Sequence, residues 1–301
     1  MSPPRALIKT LRPHQWVKNG FVAAALVFGK KILDPEARLL ALGAVAAFCA
    51  LSSAIYALND VLDADKDRAH PVKRRRPIAS GALSERTGVL AAGLLAAGGL
   101  GGAYLIDARF AAVAAGYLVL NLAYSLKLKA LAFVDVACIA TGFLLRVLAG
   151  AFAVDVPPSR WLLLCTLLLA SYLGFGKRSH ELGQALAAAD PVDPRESLRK
   201  TRPVLLRYNL AHLRWALYGL GTLTVTAYAL YTVAPHTIEF FGTRRMIWTA
   251  PFCLAGIARF LHLVTRRPHG DSPTEEMLRD PAFMVNLGMW GLAVLAIIYY
   301  R

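Results

Sequence analysis

The sequence predicts an all-α, polytopic membrane protein with nine transmembrane helices, and three observations carry that prediction. Its 301 residues are 56% hydrophobic, with a mean hydropathy of +0.47. Its apolar runs reach the roughly 20 residues that a helix needs to cross a bilayer. Lys and Arg gather in alternate connections, as the positive-inside rule requires of cytoplasmic loops.

In order, the spans fall near 17–33, 39–58, 87–106, 109–127, 132–154, 160–177, 211–233, 246–264 and 282–300. The first is the weakest, because Lys18 and Lys30-Lys31 press on it from both ends. The second runs unbroken to Asn59, and the third meets the fourth at the short connection Asp107-Ala108-Arg109. The fifth carries Asp135 near its start and Arg146 deeper in; the sixth follows the short segment from Asp155 to Arg160. The seventh carries no charge after Arg214, the eighth contains Arg259, and the ninth closes the chain. No polar stretch is long enough for a second folded unit. Residues 1–301 are therefore expected to form a single integral membrane domain, with loops 59–86, 127–131, 177–210 and 265–281 capping the active site.

With the N-terminus inside, inward-facing segments hold 24 of the 34 Lys and Arg. The net charge of +15 has this origin, so no nucleic acid partner is expected, while the lipid bilayer is, its anionic headgroups drawn to the same residues. Cys49, Cys138, Cys165 and Cys253 lie within spans at no paired spacing and read as small apolar core residues, not a disulfide or zinc framework. The first eleven residues lack the apolar region of a signal peptide; Ala6-Leu7-Ile8 with Leu11 suit a short interfacial helix.

The chemistry concentrates at the end of the second span. Asn59-Asp60-Val61-Leu62-Asp63-Ala64-Asp65-Lys66-Asp67 holds four carboxylates in nine residues, and Lys73-Arg74-Arg75-Arg76 follows. In a helix Asn59, Asp63 and Asp67 share one face. Hard oxygen ligands so spaced suit Mg²⁺ shared with substrate phosphates, so Asn59, Asp60, Asp63 and Asp67 are the expected metal ligands, with Asp63 and Asp67 also counted as catalytic. Asp65 points away and pairs with Lys66 or Arg68. Pro71 and Pro77 bracket the basic run, and its Lys73 and Arg74 are expected to bind substrate.

Further polar signatures follow the fourth, sixth and eighth spans: Tyr124-Ser125 with Lys127, Lys129 and Asp135; Gly176-Lys177-Arg178 with Glu181; and Asp271 to Thr274 with Arg279-Asp280. Asp135 is the third expected catalytic carboxylate, holding a second metal or a sugar hydroxyl; the alternative is a salt bridge to Lys129 or Arg146. Arg146 must face the protein interior or a wet cavity, as a phosphate ligand or as Asp135's counter-charge. Lys18, Asn19, Tyr124, Lys129, Arg146, Lys177 and Arg178 join Lys73 and Arg74 as expected substrate-binding residues. His70 and His180 are read as loop residues. The polar stretch 185–207 is either a lid or a solvated connection.

The Asn-Asp-x-x-Asp-x-x-x-Asp pattern at 59–67, the nine spans and the polar loops after even-numbered spans resemble the UbiA superfamily of intramembrane prenyltransferases, over essentially the whole chain. The resemblance implies a helical bundle around a central cavity, capped by cytoplasmic loops, with Mg²⁺ held by aspartates. Arg12-Pro13-His14-Gln15-Trp16-Val17-Lys18-Asn19, His70-Pro71-Val72-Lys73-Arg74, Tyr124-Ser125, Leu128-Lys129 and Gly176-Lys177-Arg178 look like the phosphoribosyltransferase branch. That branch moves 5-phosphoribose from PRPP to a polyprenyl (decaprenyl) phosphate in cell-wall precursor synthesis. Prenyl-diphosphate users carry a second Asp-x-x-x-Asp motif; here Leu131 stands four before Asp135, which fits the narrower match. Location in a bacterial plasma membrane, with N-terminus and active site cytoplasmic, follows, and a homo-oligomer is compatible with it. Competing readings are an aromatic prenyltransferase of the same superfamily, a transporter with Asp135 and Arg146 along its path, and an inactive scaffold.

Overall fold

The computed structural model describes residues 2–69, 72–187, 203–266 and 273–300. Among these residues every regular element is helical. His70, Pro71, most of the expected lid at 185–207, and Asp271-Ser272 lie outside the described residues.

In chain order the α-helices are α1 (Pro3–Leu11), α2 (Ala24–Phe28), α3 (Pro35–Leu62), α4 (Ala64–Ala69), α5 (Glu85–Ile106), α6 (Ala108–Leu126) and α7 (Val134–Ala153). Then come α8 (Arg160–Ala187), α9 (Leu210–Val233), α10 (Pro235–Phe241), α11 (Ala250–Arg266), α12 (Pro273–Arg279) and α13 (Pro281–Tyr299). Among the described residues six helical stretches are long and apolar enough to cross a membrane: Pro35–Leu62, Glu85–Ile106, Ala108–Leu126, Val134–Ala153, Arg245–Thr265 and Pro281–Tyr299.

The sequence predicts nine, and the other three differ for physical reasons. The first expected span is a 3-10 helix over Pro13–Ala23 that passes into the five-residue α2. Helices α8 and α9 stand where they are expected and run for 28 and 24 residues. The second half of α8 is polar from Lys177 to Glu181, and Thr222, Thr224 and Thr226 dilute the apolar content of α9. A short helix is expected at the N-terminus and one forms there, α1, with Ala6 buried and Ile8 57% exposed.

The described chain divides into two compact units, residues 1–126 with 144–158, and residues 127–143 with 159–301. In the first, Asp34 caps α3 by accepting from the Glu36 and Ala37 amides at 3.0 and 3.2 Å; those bonds, the Ala37 amide foremost, hold its carboxyl below the usual range. Helix α3 then buries Ala37, Ala41, Ala44, Ala47, Phe48 and Leu51 along one stripe. Lipid tails are as apolar as the core, so helix association in a bilayer relies on close packing of small residues. That is the composition here: Phe48 and Tyr117 sit among Ala44, Ala103, Ala114, Ala149 and Ala153. Gly150 lets α7 approach the Pro13–Ala23 segment, since a Cβ there would overlap the Val22 carbonyl.

In the second unit Tyr172, Leu217, Phe260 and Val264 form the main core, and Tyr172 donates to the Ile257 carbonyl at 2.8 Å. Arg259 grips Asp280 with two nitrogens at 3.0 and 2.7 Å, while Asp280 caps α13 through the Phe283 amide at 2.8 Å. Large apolar side chains such as Leu94 and Leu105 in the first unit, and Leu254 and Leu292 in the second, are more than half exposed. On helices of span length, such exposure is what a lipid-facing surface requires. All four cysteines are free.

Candidate active site

The acidic motif closes α3. Helical register nearly persists beyond it: the Asp63 amide donates to Asn59 O at 2.9 Å and the Asp67 amide to Asp63 O at 2.8 Å. Only Asp63 breaks the helix, with φ −98° and ψ 6°. Asn59, Asp63 and Asp67 therefore follow one another one turn apart, as their spacing predicts.

Two arginines hold this motif. Arg12 Nη2 lies 2.5 Å from Asp60 Oδ1, and its guanidinium stacks 5.0 Å from the centre of the Tyr56 ring. Arg76 Nη1 donates to Asp60 Oδ1 at 3.2 Å and to Asp67 Oδ2 at 2.7 Å. The Asp60 and Asp67 side chains are 2% and 4% exposed. Buried carboxylates need such partners, because an unpaired buried charge is strongly unfavourable. Asp65, directed outward, pairs with Arg68, one of its two expected partners, and Arg68 also reaches Glu85 at 2.7 Å.

Local structure explains why Arg76 turns inward. Lys73–Arg75 form a single 3-10 turn, Pro77 follows, and Ile78 and Leu83 bury against Ala6 and Ala64. Gly81, at φ 77°, supplies the left-handed residue that closes this loop. Of the basic run, Arg74 and Arg75 stay exposed and Lys73 is half-buried.

A second cluster in the first unit surrounds Arg146, which is buried. Its Nε donates to Asn19 Oδ1 at 2.9 Å and its Nη2 to the Tyr117 hydroxyl at 2.8 Å. Asn19 is held in turn by Ser52 at 3.2 Å and Cys49 at 3.3 Å. Arg146 thus faces the interior, one of its two expected surroundings. The preceding segment is strapped to α3 by Trp16 Nε1 donating to Ser53 Oγ, and Ser53 Oγ to Leu11 O, each at 3.0 Å.

The second unit carries its own cluster. Asp135, expected to touch metal or sugar, is 0% exposed. Arg178 Nε lies 3.0 Å from its Oδ2, and Tyr208 donates to its Oδ1 at 2.6 Å. Arg178 also reaches Glu181 at 2.5 Å. The Tyr208 hydroxyl accepts from the Phe133 amide at 2.7 Å, fixing a residue whose φ is +68°. Burial first, then the bond to Asp135, raises the Tyr208 phenol far above its ordinary value, so it stays a neutral donor. Lys129 and Lys177 in this unit, and Lys18, Lys73 and Tyr124 in the first, are half-buried and each has a noncovalent partner.

Tyr208, Tyr117, Arg12 and Arg76 are the residues that sequence reasoning did not assign to the site. The first two carry no local signal, being single tyrosines in polar or apolar surroundings. Arg12 and Arg76 lie in segments singled out by sequence, but nothing there tells which cation turns inward.

The oxygen donors of Asn59, Asp63 and Asp67 fit a hard divalent cation by chemistry and spacing. Among the described residues no three His, Cys, Asp or Glu side chains are gathered around one point; Asp60 and Asp67 are instead drawn to Arg12 and Arg76.

Residues 20–287 match the model of the UbiA prenyltransferase family. The chain belongs to this family and is a membrane-embedded transferase. It is 34% identical to a decaprenyl-phosphate phosphoribosyltransferase of Mycolicibacterium smegmatis, over 99% of this chain and 95% of that one. A decaprenyl-phosphate phosphoribosyltransferase of Corynebacterium glutamicum is 32% identical over 99% and 89%. Among solved structures, a UbiA homolog from Archaeoglobus fulgidus bound to DMAPP and Mg²⁺ superposes with a TM-score of 0.71, at 20% identity, covering 98% and 99% of the two chains.

Proposed function

We propose that this enzyme transfers 5-phosphoribose from PRPP to a polyprenyl phosphate and releases diphosphate. The observation that carries the reading is the near full-length similarity to two decaprenyl-phosphate phosphoribosyltransferases. The chemistry of the residues supports it. Only one Asp-rich metal motif is present, Leu131 replaces the second carboxylate, and Lys127 and Lys129 add positive charge nearby in sequence. Two phosphorylated substrates need that surplus of cations, since each phosphate monoester brings roughly −1.5 to −2 charge.

In the first unit Asn59, Asp63 and Asp67 would hold Mg²⁺, while Asp60, also an expected ligand, is engaged by Arg12 and Arg76. Bound there, Mg²⁺ supplies Lewis-acid stabilisation of a diphosphate leaving group. Lys73 and Arg74 add neutralising charge, and Lys18 meets the lipid phosphate. Asn19 and Tyr117 fix the direction of Arg146, whose positive charge serves the phosphate groups. In the second unit Lys129, Lys177 and Arg178 supply positive charge for phosphate groups, and Asp135 aims Arg178 rather than touching substrate. A phosphate oxygen of the lipid forms the new bond to ribose C1 as the bond to diphosphate breaks. The lipid phosphate is already ionised at neutral pH, so no general base is required. The protein's contribution is proximity and charge stabilisation. The site opens to the cytoplasm of a bacterial plasma membrane, which positive-inside counting supports.

The test offers purified protein with Mg²⁺ either radiolabelled PRPP and decaprenyl phosphate, or a prenyl diphosphate and 4-hydroxybenzoate. Label from PRPP should enter the organic phase and be lost in Asp63→Ala. Transfer from the prenyl diphosphate alone would return the chain to the aromatic prenyltransferases.

A further inference from the structure

We propose that Arg76 is an internal counter-cation of the metal site, holding Asp67 against Asp60 in the metal-free protein and giving Asp67 up when a divalent cation binds. This rests on the reading of Asn59, Asp63 and Asp67 as metal ligands.

A single nitrogen, Arg76 Nη1, serves both carboxylates, at 3.2 Å from Asp60 and 2.7 Å from Asp67. Two carboxylates this deeply buried repel one another unless a cation lies between them. The two aspartates are not equivalent. Asp60 has a second guanidinium, that of Arg12, at 2.5 Å, so it keeps a counter-charge when Arg76 leaves. Asp67 is therefore the carboxylate that can be handed over.

The backbone of Arg76 is fixed, whereas its side chain is partly exposed and so has room to exchange partners. Its amide donates to Lys73 O and its carbonyl accepts from the Ser80 amide, both at 2.9 Å. The following Ile78 is 1% exposed, whereas the Arg76 side chain is 29% exposed. Release thus needs rotation of one side chain and no loop movement. A divalent cation and the guanidinium compete for the same oxygens, so binding one displaces the other. The displaced guanidinium is a planar fork suited to phosphate, set free beside Asp60 and Asp67. Metal binding thereby makes its own phosphate ligand available.

The test measures Mn²⁺ affinity of the full chain in lipid nanodiscs at pH 7.5, reading free Mn²⁺ by electron paramagnetic resonance without substrate. Arg76→Gln should bind Mn²⁺ about tenfold more tightly, the equivalent of one charge-assisted hydrogen bond no longer broken. Arg75→Gln, the same charge change on an exposed neighbour, should shift affinity by about threefold or less because solvent screens it. Asp67→Asn should bind poorly. If Arg76→Gln yields no folded protein, Arg76→Lys carries the test: its point charge bridges two carboxylates less well, and Mn²⁺ should bind about threefold more tightly. Unchanged or weaker affinity in the Arg76 variant, with Asp67→Asn impaired, overturns the inference and leaves the metal site standing. Undiminished Mn²⁺ binding by Asp67→Asn overturns both.

Discussion

Replacing Asp135 by Asn separates two roles that its position allows. The side chain has no exposed surface and meets Arg178 at 3.0 Å, with Tyr208 donating at 2.6 Å and the Val136 amide at 2.8 Å. Removing one member of a buried ion pair costs about 3–5 kcal/mol, because the other charge is left behind. Here Glu181 still lies 2.5 Å from Arg178, which retains part of the neutralisation. The expected loss is therefore at the lower end, about 3 kcal/mol. Removing both charges in Asp135→Asn/Arg178→Met should cost less than the two single changes added, with a coupling of about 2 kcal/mol. Reversible denaturant unfolding in detergent micelles, followed by tryptophan fluorescence, measures all three variants. A loss below about 1 kcal/mol for Asp135→Asn, together with abolished turnover, would refute the positioning role and make Asp135 a residue that touches the reacting groups.

Two further outcomes are expected from the packing and the charges. Gly150→Val should lower stability by about 1–3 kcal/mol or prevent folding, since overpacking forces the backbone apart at Val22; thermal unfolding against Gly99→Ala, a milder crowding of Leu51, checks it. Asp107 accepts from Arg109 and from the Phe110 amide, and the Arg109 bond above all holds its carboxyl below the usual range. Stabilisation from a lowered carboxyl is present above the unfolded value, about 3.9, and lost as pH falls through the lower folded value. The unfolding temperature of wild type should therefore exceed that of Asp107→Asn at pH 7, and the gap should close on acidification; a gap independent of pH between 7 and 3 would contradict this assignment.

Much of the helical layout was legible before any contact was known. The stretch 39–58 lies inside the helix Pro35–Leu62, and 282–300 nearly coincides with Pro281–Tyr299, because uninterrupted apolar runs leave the backbone no other way to satisfy its polar groups in lipid. The stretch 17–33 fails as a regular α-helix where Lys18, Asn19 and Gly20 break the apolar pattern and the 3-10 helix that begins at Pro13 runs on to Ala23. All four charged residues in the Asp60 cluster, and Asp135, Arg178 and Glu181 of the other, lie in segments already singled out by sequence, whereas Tyr208 does not. Their pairing was not legible. Asp135 was offered Lys129 or Arg146 by proximity in sequence, whereas Arg178 and Tyr208 reach it in space.

The helical class, the apolar stretches and the one-turn spacing of Asn59, Asp63 and Asp67 follow from composition and from the local period of a helix. Which buried polar groups meet depends on how the helices pack in three dimensions. Arg12 meets Asp60 across 48 residues, Asn19 meets Arg146 across 127, and Tyr208 meets Asp135 across 73. In a chain with 34 Lys and Arg for 19 carboxylates, charge alone leaves many pairings open. Burial selects among them, because each carboxylate withdrawn from solvent must take the guanidinium that the packed helices bring within reach.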